Sequence, residues 1–590
     1  MMIPQTFDNN NQTITINFTV GGTPHTLSYA LNGTSWGQGQ CITYTITTEG
    51  LVWEYVLEAT GGETAYTGGN TTFNVKSYRY KRTSPSVVEP VAWTIDGYKA
   101  SGASDFSSTK PTWLSSITTS GIGTSTTSAT NTGTATLAAQ TSTTGAASFT
   151  DIERGTSSAP YDLSTKGGTT SRNTANCYVV NAPGWYKIPL VYGNGIKNGS
   201  ANTSAYNSST FIDYNGTQIR NLSGGPYVKN SSGTIGSAAL LWQDVNGLIN
   251  SVSYDSSDNG YIKFYIPSAS LREGNAVLSI KNTSGVVMWS WHIWTTAIDI
   301  YNTIPVTAYN GTTIYNFMPI NLGWCNLGNI TTYSSRNVIV KLKQTTSSET
   351  TTINISQNPH NIASTSGNHP FYEWGRKDPM TPGTGNSLSY KTVYNGSFTH
   401  EQANPTIQQT IQNPSKYYYG DNAGTLWIWY NSGYYDLWNA GHKTYSNSYS
   451  SSNTTTTQKS IFDPCPVGFC VPPTYAFSGF SSSGDGTTIT HSSNRRYVSS
   501  YAYNRGAYFY TNNSYNEQIF FPATGIHDYK GSTLVIGDAT NTGMSSTYAV
   551  NCVYRSSCDA TAPFKLTSTS CAVMGSHATC WGFSVRPIAE

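Results

Sequence analysis

Cys571, His577 and Cys580 come nearest to catalytic chemistry in this chain. A thiol activated by an imidazole is a nucleophile. The same residues also read as disulfide partners around a loop histidine, and that reading suits them better. Cys465, Cys470, Cys552 and Cys558 complete a set of six possible disulfide cysteines after position 460. Spacing alone does not set their connectivity. The gaps lack the Cys-x2-Cys knuckle of structural zinc sites. Other chemistry is missing: there is no HExxH, no GxSxG, no phosphate loop and no GxGxxG after a strand. The EF-hand calcium loop is absent too. The nine histidines are scattered singly, and no spacing among the 30 carboxylates selects a glycosidase pair. The expectation is a protein that is not an enzyme, with no catalytic residue, no metal and no cofactor. Trp289, Trp291 and Trp294 around His292 could form a sugar-stacking stripe. Alternation puts Trp289 and Trp291 on one face, His292 and Trp294 on the other. Such a face serves more often as core, and His292 as a satisfied structural histidine.

The elements that must position these residues are strands. Only 11% of the 590 residues are charged, against about 25% in an average soluble protein. Aromatics make up 13%, too many for a disordered chain. The net charge of +2 lacks the basic excess of a nucleic-acid binder. No apolar run is long enough for a transmembrane helix. Thr, Tyr, Val and Ile favour a pleated surface. Ile14, Ile16, Phe18 and Val20 alternate before Gly21-Gly22, and Leu27, Tyr29 and Leu31 return as a hairpin. Residues 1–85 read as the end of a β-sandwich. Residues 86–165 read as a Ser/Thr-rich spacer or small β-domain. Residues 166–300 read as a second sandwich. Residues 301–590 form the largest unit, with long aromatic loops that must pack on themselves or be cross-linked. No signal peptide follows Met1.

Four stretches of the last unit occur in an order that resembles a known family: 315–324 (YNFMPINLGW), 372–379 (YEWGRKDP), 463–473 (DPCPVGFCVPP) and 582–587 (GFSVRP). They resemble the Fibrobacter succinogenes major paralogous domain of gut Bacteroidetes surface proteins, which is similar to C-type-lectin-like folds. Upstream, 173–180 (NTANCYVV), 189–194 (PLVYGN) and 288–294 (MWSWHIW) resemble long fimbrillin-like proteins. The resemblance implies a mainly β protein: tandem fimbrillin- or Ig-like sandwiches, then a C-terminal α+β lectin-like domain. It places the export signal upstream of this numbering and the protein outside the cell, on the outer-membrane surface or in a fimbria. Pro587 stands where many members carry a terminal Cys, so Cys470 becomes the local alternative partner for Cys465. The unusual interior from Ser545 to Cys580 suggests a hypervariable segment of the kind that retroelements diversify.

The implied function is a fimbrial tip or accessory adhesin. Its partners are other fimbrial subunits, joined by strand exchange at an open sheet edge, and a surface glycan or protein. The ligand-binding candidates are Tyr548, Tyr554, Arg555, Asp559, His577 and Trp581. Aromatics supply rigid contact area, and Arg and Asp directional hydrogen bonds. For Trp581 a core role is the competing reading. Alternative functions are a shaft pilin, a phage receptor-binding protein and a surface glycan-active enzyme.

Overall fold

A computed structural model describes residues 5–590 apart from 8–11, 21–22, 32–33, 41–52, 83, 147, 365–366, 384–390, 420–433, 435, 442–456, 485–486, 501–505, 516, 523, 528–533, 536–544, 549–559, 562–563, 568 and 574–576. The chain is mainly β and divides into two units. One comprises Met1–Thr143 with Thr332–His360, the other Thr144–Thr331 with Asn361–Glu590. Among the described residues no helix is long and apolar enough to cross a membrane.

In the first unit, Thr13–Val20 and Thr23–Ala30 pair as the alternation predicts, with Ile14 opposite Tyr29 and Ile16 opposite Leu27. The long strand Gly69–Lys81 organises one sheet, flanked by Trp53–Thr60, Ser84–Pro90 and Asn131–Leu137. In the other sheet, Trp93–Ala100 pairs with Arg336–Gln344, which pairs with Thr350–Gln357. Val338, Val340 and Leu342 are buried while Lys341 and Lys343 face outward to Asp96. This period of two leaves one apolar face per strand. The faces of both sheets share one core, with Phe73, Val75 and Leu137 from the first and Trp93, Val340 and Ile355 from the second. Thus the Ser/Thr-rich stretch supplies Trp93–Ala100 and Asn131–Leu137 to packed sheets, and the hairpin Arg336–Gln357 belongs here although it lies within 301–590.

Among the described sheets of the second unit are two four-stranded ones built from the stretch between Tyr161 and Thr295. One runs Tyr161–Asp162, Gly184–Pro189, Tyr261–Ile266, Ser251–Asp255; the other runs Cys177–Val180, Val287–Thr295, Gly274–Asn282, Ile235–Gln243. Their core includes Tyr186, Phe264 and Trp291, together with Trp324, Trp374, Trp438 and Phe462 from beyond residue 301. Trp289, Trp291 and Trp294 are all fully buried, so both faces of Val287–Thr295 are covered. A second core gathers Phe317, Phe477, Phe480, Phe509, Phe521 and Phe564.

The recurring stretches meet in shared sheets. Ile314–Phe317 and Phe469–Cys470 both pair with Ile588–Ala589, and Gly367–Glu373 pairs with Gly582–Phe583. Their charges are internal fasteners. Arg376 Nη1 lies 2.6 Å from Glu373 Oε2, and Lys377 Nζ donates to Ser290 Oγ and to Asp378, all buried. Lys459 Nζ donates to the carbonyls of Cys465, Pro466 and Phe469. The local Cys465–Cys470 bridge is not formed: Cys465 packs in the first core of this unit and Cys470 in the second. Cys571 is a buried thiol in the second core, Cys580 is buried in the first, and Cys552 and Cys558 lie outside the described residues.

Candidate functional site

The second unit contains a cavity of about 450 Å³, within the range of small-ligand pockets. Several short segments build it, and local chemistry fixes each one. Arg154 forms an isolated parallel bridge with Gly184. A Cβ on Gly184 would lie 1.9 Å from the Arg154 carbonyl oxygen, so only glycine admits this approach. Tyr161–Asp162 then pairs with Tyr186 and Lys187. The Asp162 carboxylate caps the next turn, Leu163–Thr165, accepting from the Ser164 backbone N–H at 2.9 Å and its hydroxyl at 2.6 Å. That turn ends on Lys166 in the left-handed conformation, φ 50° and ψ 47°. The Cys177–Val180 strand contributes buried Cys177 and Tyr178. Residues 296–301 close another side, where Asp299 accepts from the Tyr301 backbone N–H. Pro466 and Val467 come from the Cys465 stretch, with Pro466 bridged to Cys177.

Two cations lie over two aromatic rings. The Lys166 ammonium is 5.1 Å from the ring centre of Tyr301, and the Arg154 guanidinium 5.3 Å from that of Tyr161. A ring face attracts a cation without neutralising it. Neither Lys166 nor Arg154 has an ion-pair partner among the described residues. Tyr301 is 52% exposed, and its hydroxyl donates to the Val467 carbonyl at 3.4 Å. Asp299 is the one carboxylate among the described lining residues. The arrangement can stack a ligand ring and donate charge-assisted hydrogen bonds.

None of the sequence-predicted binding residues is among the described lining of this cavity. Tyr548 ends the strand Ser545–Tyr548, opposite Phe564. His577 stands opposite Thr561 in a separate two-stranded sheet. Trp581 is half-buried against the first core, its ring 6.5 Å from that of Phe583, which is the competing core placement. Tyr554, Arg555 and Asp559 lie outside the described residues. The described candidates Tyr548, His577 and Trp581 thus sit on different elements. Sequence reading missed Arg154, Tyr161, Lys166 and Tyr301. The available signal was the Asp162-x-Ser164 cap followed by Lys166-Gly167-Gly168, a turn that leaves a cation on a left-handed residue.

His292 lies in a separate buried network. Its Nε2 donates to Asn275 Oδ1 at 2.9 Å, because the Asn275 amide nitrogen itself donates to Asp244 and Gly323. Its Nδ1 accepts from the Tyr372 hydroxyl at 3.2 Å. Burial lowers its pKa to about 3, so the ring is neutral and structural.

No family model matches the chain. No curated protein matches it either. Among solved structures, an endo-fucoidan hydrolase of glycoside hydrolase family 107 aligns at 13% identity with a TM-score of 0.12. The alignment covers 51% of this chain and 43% of that one, and at this TM-score it carries no argument.

Proposed function

We propose that this protein is a surface-recognition subunit that binds a saccharide in the cavity built around Tyr161 and Tyr301. The observation that carries this reading is the pair of tyrosine rings bearing unpaired cations inside one concave site. Saccharides present apolar ring faces and hydroxyls, which suit aromatic stacking and hydrogen-bond donors. A single carboxylate among the described lining residues favours binding over hydrolysis, since glycosidases generally need a pair. Within this reading the first unit, two sheets closed over one core, is a fimbrillin-like sandwich that acts as a docking module. Export to the bacterial surface and strand exchange with neighbouring subunits belong to the same proposal. So does a lectin-like role for the C-terminal part.

The test is a glycan microarray probed with the full chain and with Tyr301→Ala. Tyr301 is exposed enough for the variant to fold. We expect saccharide binding that weakens at least about tenfold in the variant, the scale of a lost aromatic anchor. Binding to no glycan on a broad panel, or equal binding by the variant, would overturn the reading.

A further inference from the structure

We infer that the ligand of this cavity is an acidic saccharide, one bearing a sulfate or carboxylate that Lys166 and Arg154 read. The inference rests on the proposed function and adds the charge of the ligand.

The first support is the conformation of Lys166. It is one of five non-glycine residues with positive φ among the described residues, and Gly167 and Gly168 follow it at φ 71° and 90°. Glycine would occupy position 166 without the steric cost that a lysine Cβ carries. Unfavourable backbone geometry of this kind clusters at functional sites. Here it puts an ammonium over an exposed tyrosine at the cavity. Gly167 is fixed by packing: a Cβ there would come within 2.4 Å of the Tyr161 ring. The lysine therefore sits on a turn whose path is set by its neighbours.

The second support is where the acids go. Asp162 is four residues from Lys166, yet it serves Ser164 and lies 3.8 Å from Arg172, which Asp258 also contacts at 3.1 Å. Asp299 lines the cavity, but its Oδ1 is engaged by the Tyr301 N–H. Two cations against one partly satisfied carboxylate leave the site positive, in a chain whose total charge is only +2. The Asn181 side chain makes no hydrogen bond among the described residues and also lines the cavity. It supplies a neutral donor and acceptor beside the cations. A sulfate or carboxylate on a sugar ring matches this set: ring on tyrosine, acid on ammonium and guanidinium.

The test uses the full chain in titration calorimetry against three probes: dextran, dextran sulfate oligomers and oligogalacturonate. It also uses Lys166→Gly, Arg154→Gln and, as a control for diffuse attraction, Lys229→Ala at an exposed turn that does not line the cavity. We expect at least one acidic probe to bind about tenfold or more tighter than dextran. Lys166→Gly and Arg154→Gln should each remove most of that preference, and Lys229→Ala should leave it intact. Lys166→Gly should not lower the melting temperature, because glycine suits the backbone there. The sulfated and uronate arms decide which acid is read. Binding to neutral and acidic probes alike overturns this inference and leaves the proposed function standing. So does an acid preference that Lys229→Ala reduces as much as Lys166→Gly does. Binding of no saccharide at all, on these probes and on the microarray, overturns both.

Discussion

Replacing His292 by Gln should flatten the acid sensitivity of the second unit. The imidazole is fully buried, donates to Asn275 and accepts from Tyr372. Its folded pKa of about 3 lies below the ordinary 6.5. A group depressed in this way contributes stability above 6.5 that is lost as pH falls toward 3, because the unfolded chain binds a proton that the folded chain refuses. At about pH 4.5, roughly two units below the unfolded value, the loss is about 3 kcal/mol, at 1.36 kcal/mol per unit. Other groups titrate in the same window. His369, lowered to about 4 by burial, adds a loss of the same sign. Glu373, raised to about 7 by burial, works the other way and adds stability as pH falls. Both are present in the variant and cancel in the comparison. The packing cost of His292→Gln is common to both pH values and cancels too. Urea unfolding followed by tryptophan fluorescence would measure the difference at about pH 7 and about pH 4.5. The variant's deficit should shrink by about 3 kcal/mol at the lower pH. Parallel profiles for the two proteins would refute a neutral, buried His292.

Lys459→Met should lower the stability of the second unit by about 3–5 kcal/mol, since it strands three buried carbonyls and removes the charge beside Glu590 and Asp463. A urea midpoint within error of the wild type would contradict that placement. Cys465, Cys470 and Cys571 should stay unreactive toward an aromatic disulfide reagent until urea unfolds the chain, because burial raises all three thiols, Cys571 to about 12. With Cys41, Cys552 and Cys558 replaced by Ser, reductant should leave the melting temperature unchanged; a drop on reduction would reveal a bridge among the described cysteines.

Local periodicity was legible wherever one strand face meets water. The hairpin at Thr13–Ala30 and the alternation of Val338, Val340 and Leu342 follow directly from side-chain spacing. The tryptophan strand Val287–Thr295 was legible as core, but its burial on both faces depends on chain distant in sequence, such as Trp324 and Phe462. Partner choice was not legible. Nothing in Arg336–Gln344 itself says that it pairs with Trp93–Ala100, because register is decided by a long-range match of faces. The cavity was hidden for the same reason. Its cations are single residues, and only the approach of 154–166 to 296–301 and Pro466 makes them a site. The C-terminal loops are rich in aromatic residues. Much of that aromatic content fills a phenylalanine core.

The return of Arg336–Gln357 to the first unit sets a clock on its biosynthesis. Leu137 is made roughly 200 residues before Arg336, which at about 5–20 residues per second is about 10–40 s of translation. Throughout that interval Trp93–Ala100 lacks its Arg336–Gln344 neighbour, and Phe73 and Val75 lack Val340 and Ile355 from the facing sheet. The nascent chain thus carries an open, adhesive strand edge for far longer than a hairpin takes to form. A folding helper that shields such edges would act in that window, and a clone truncated before residue 336 would leave the edge open permanently.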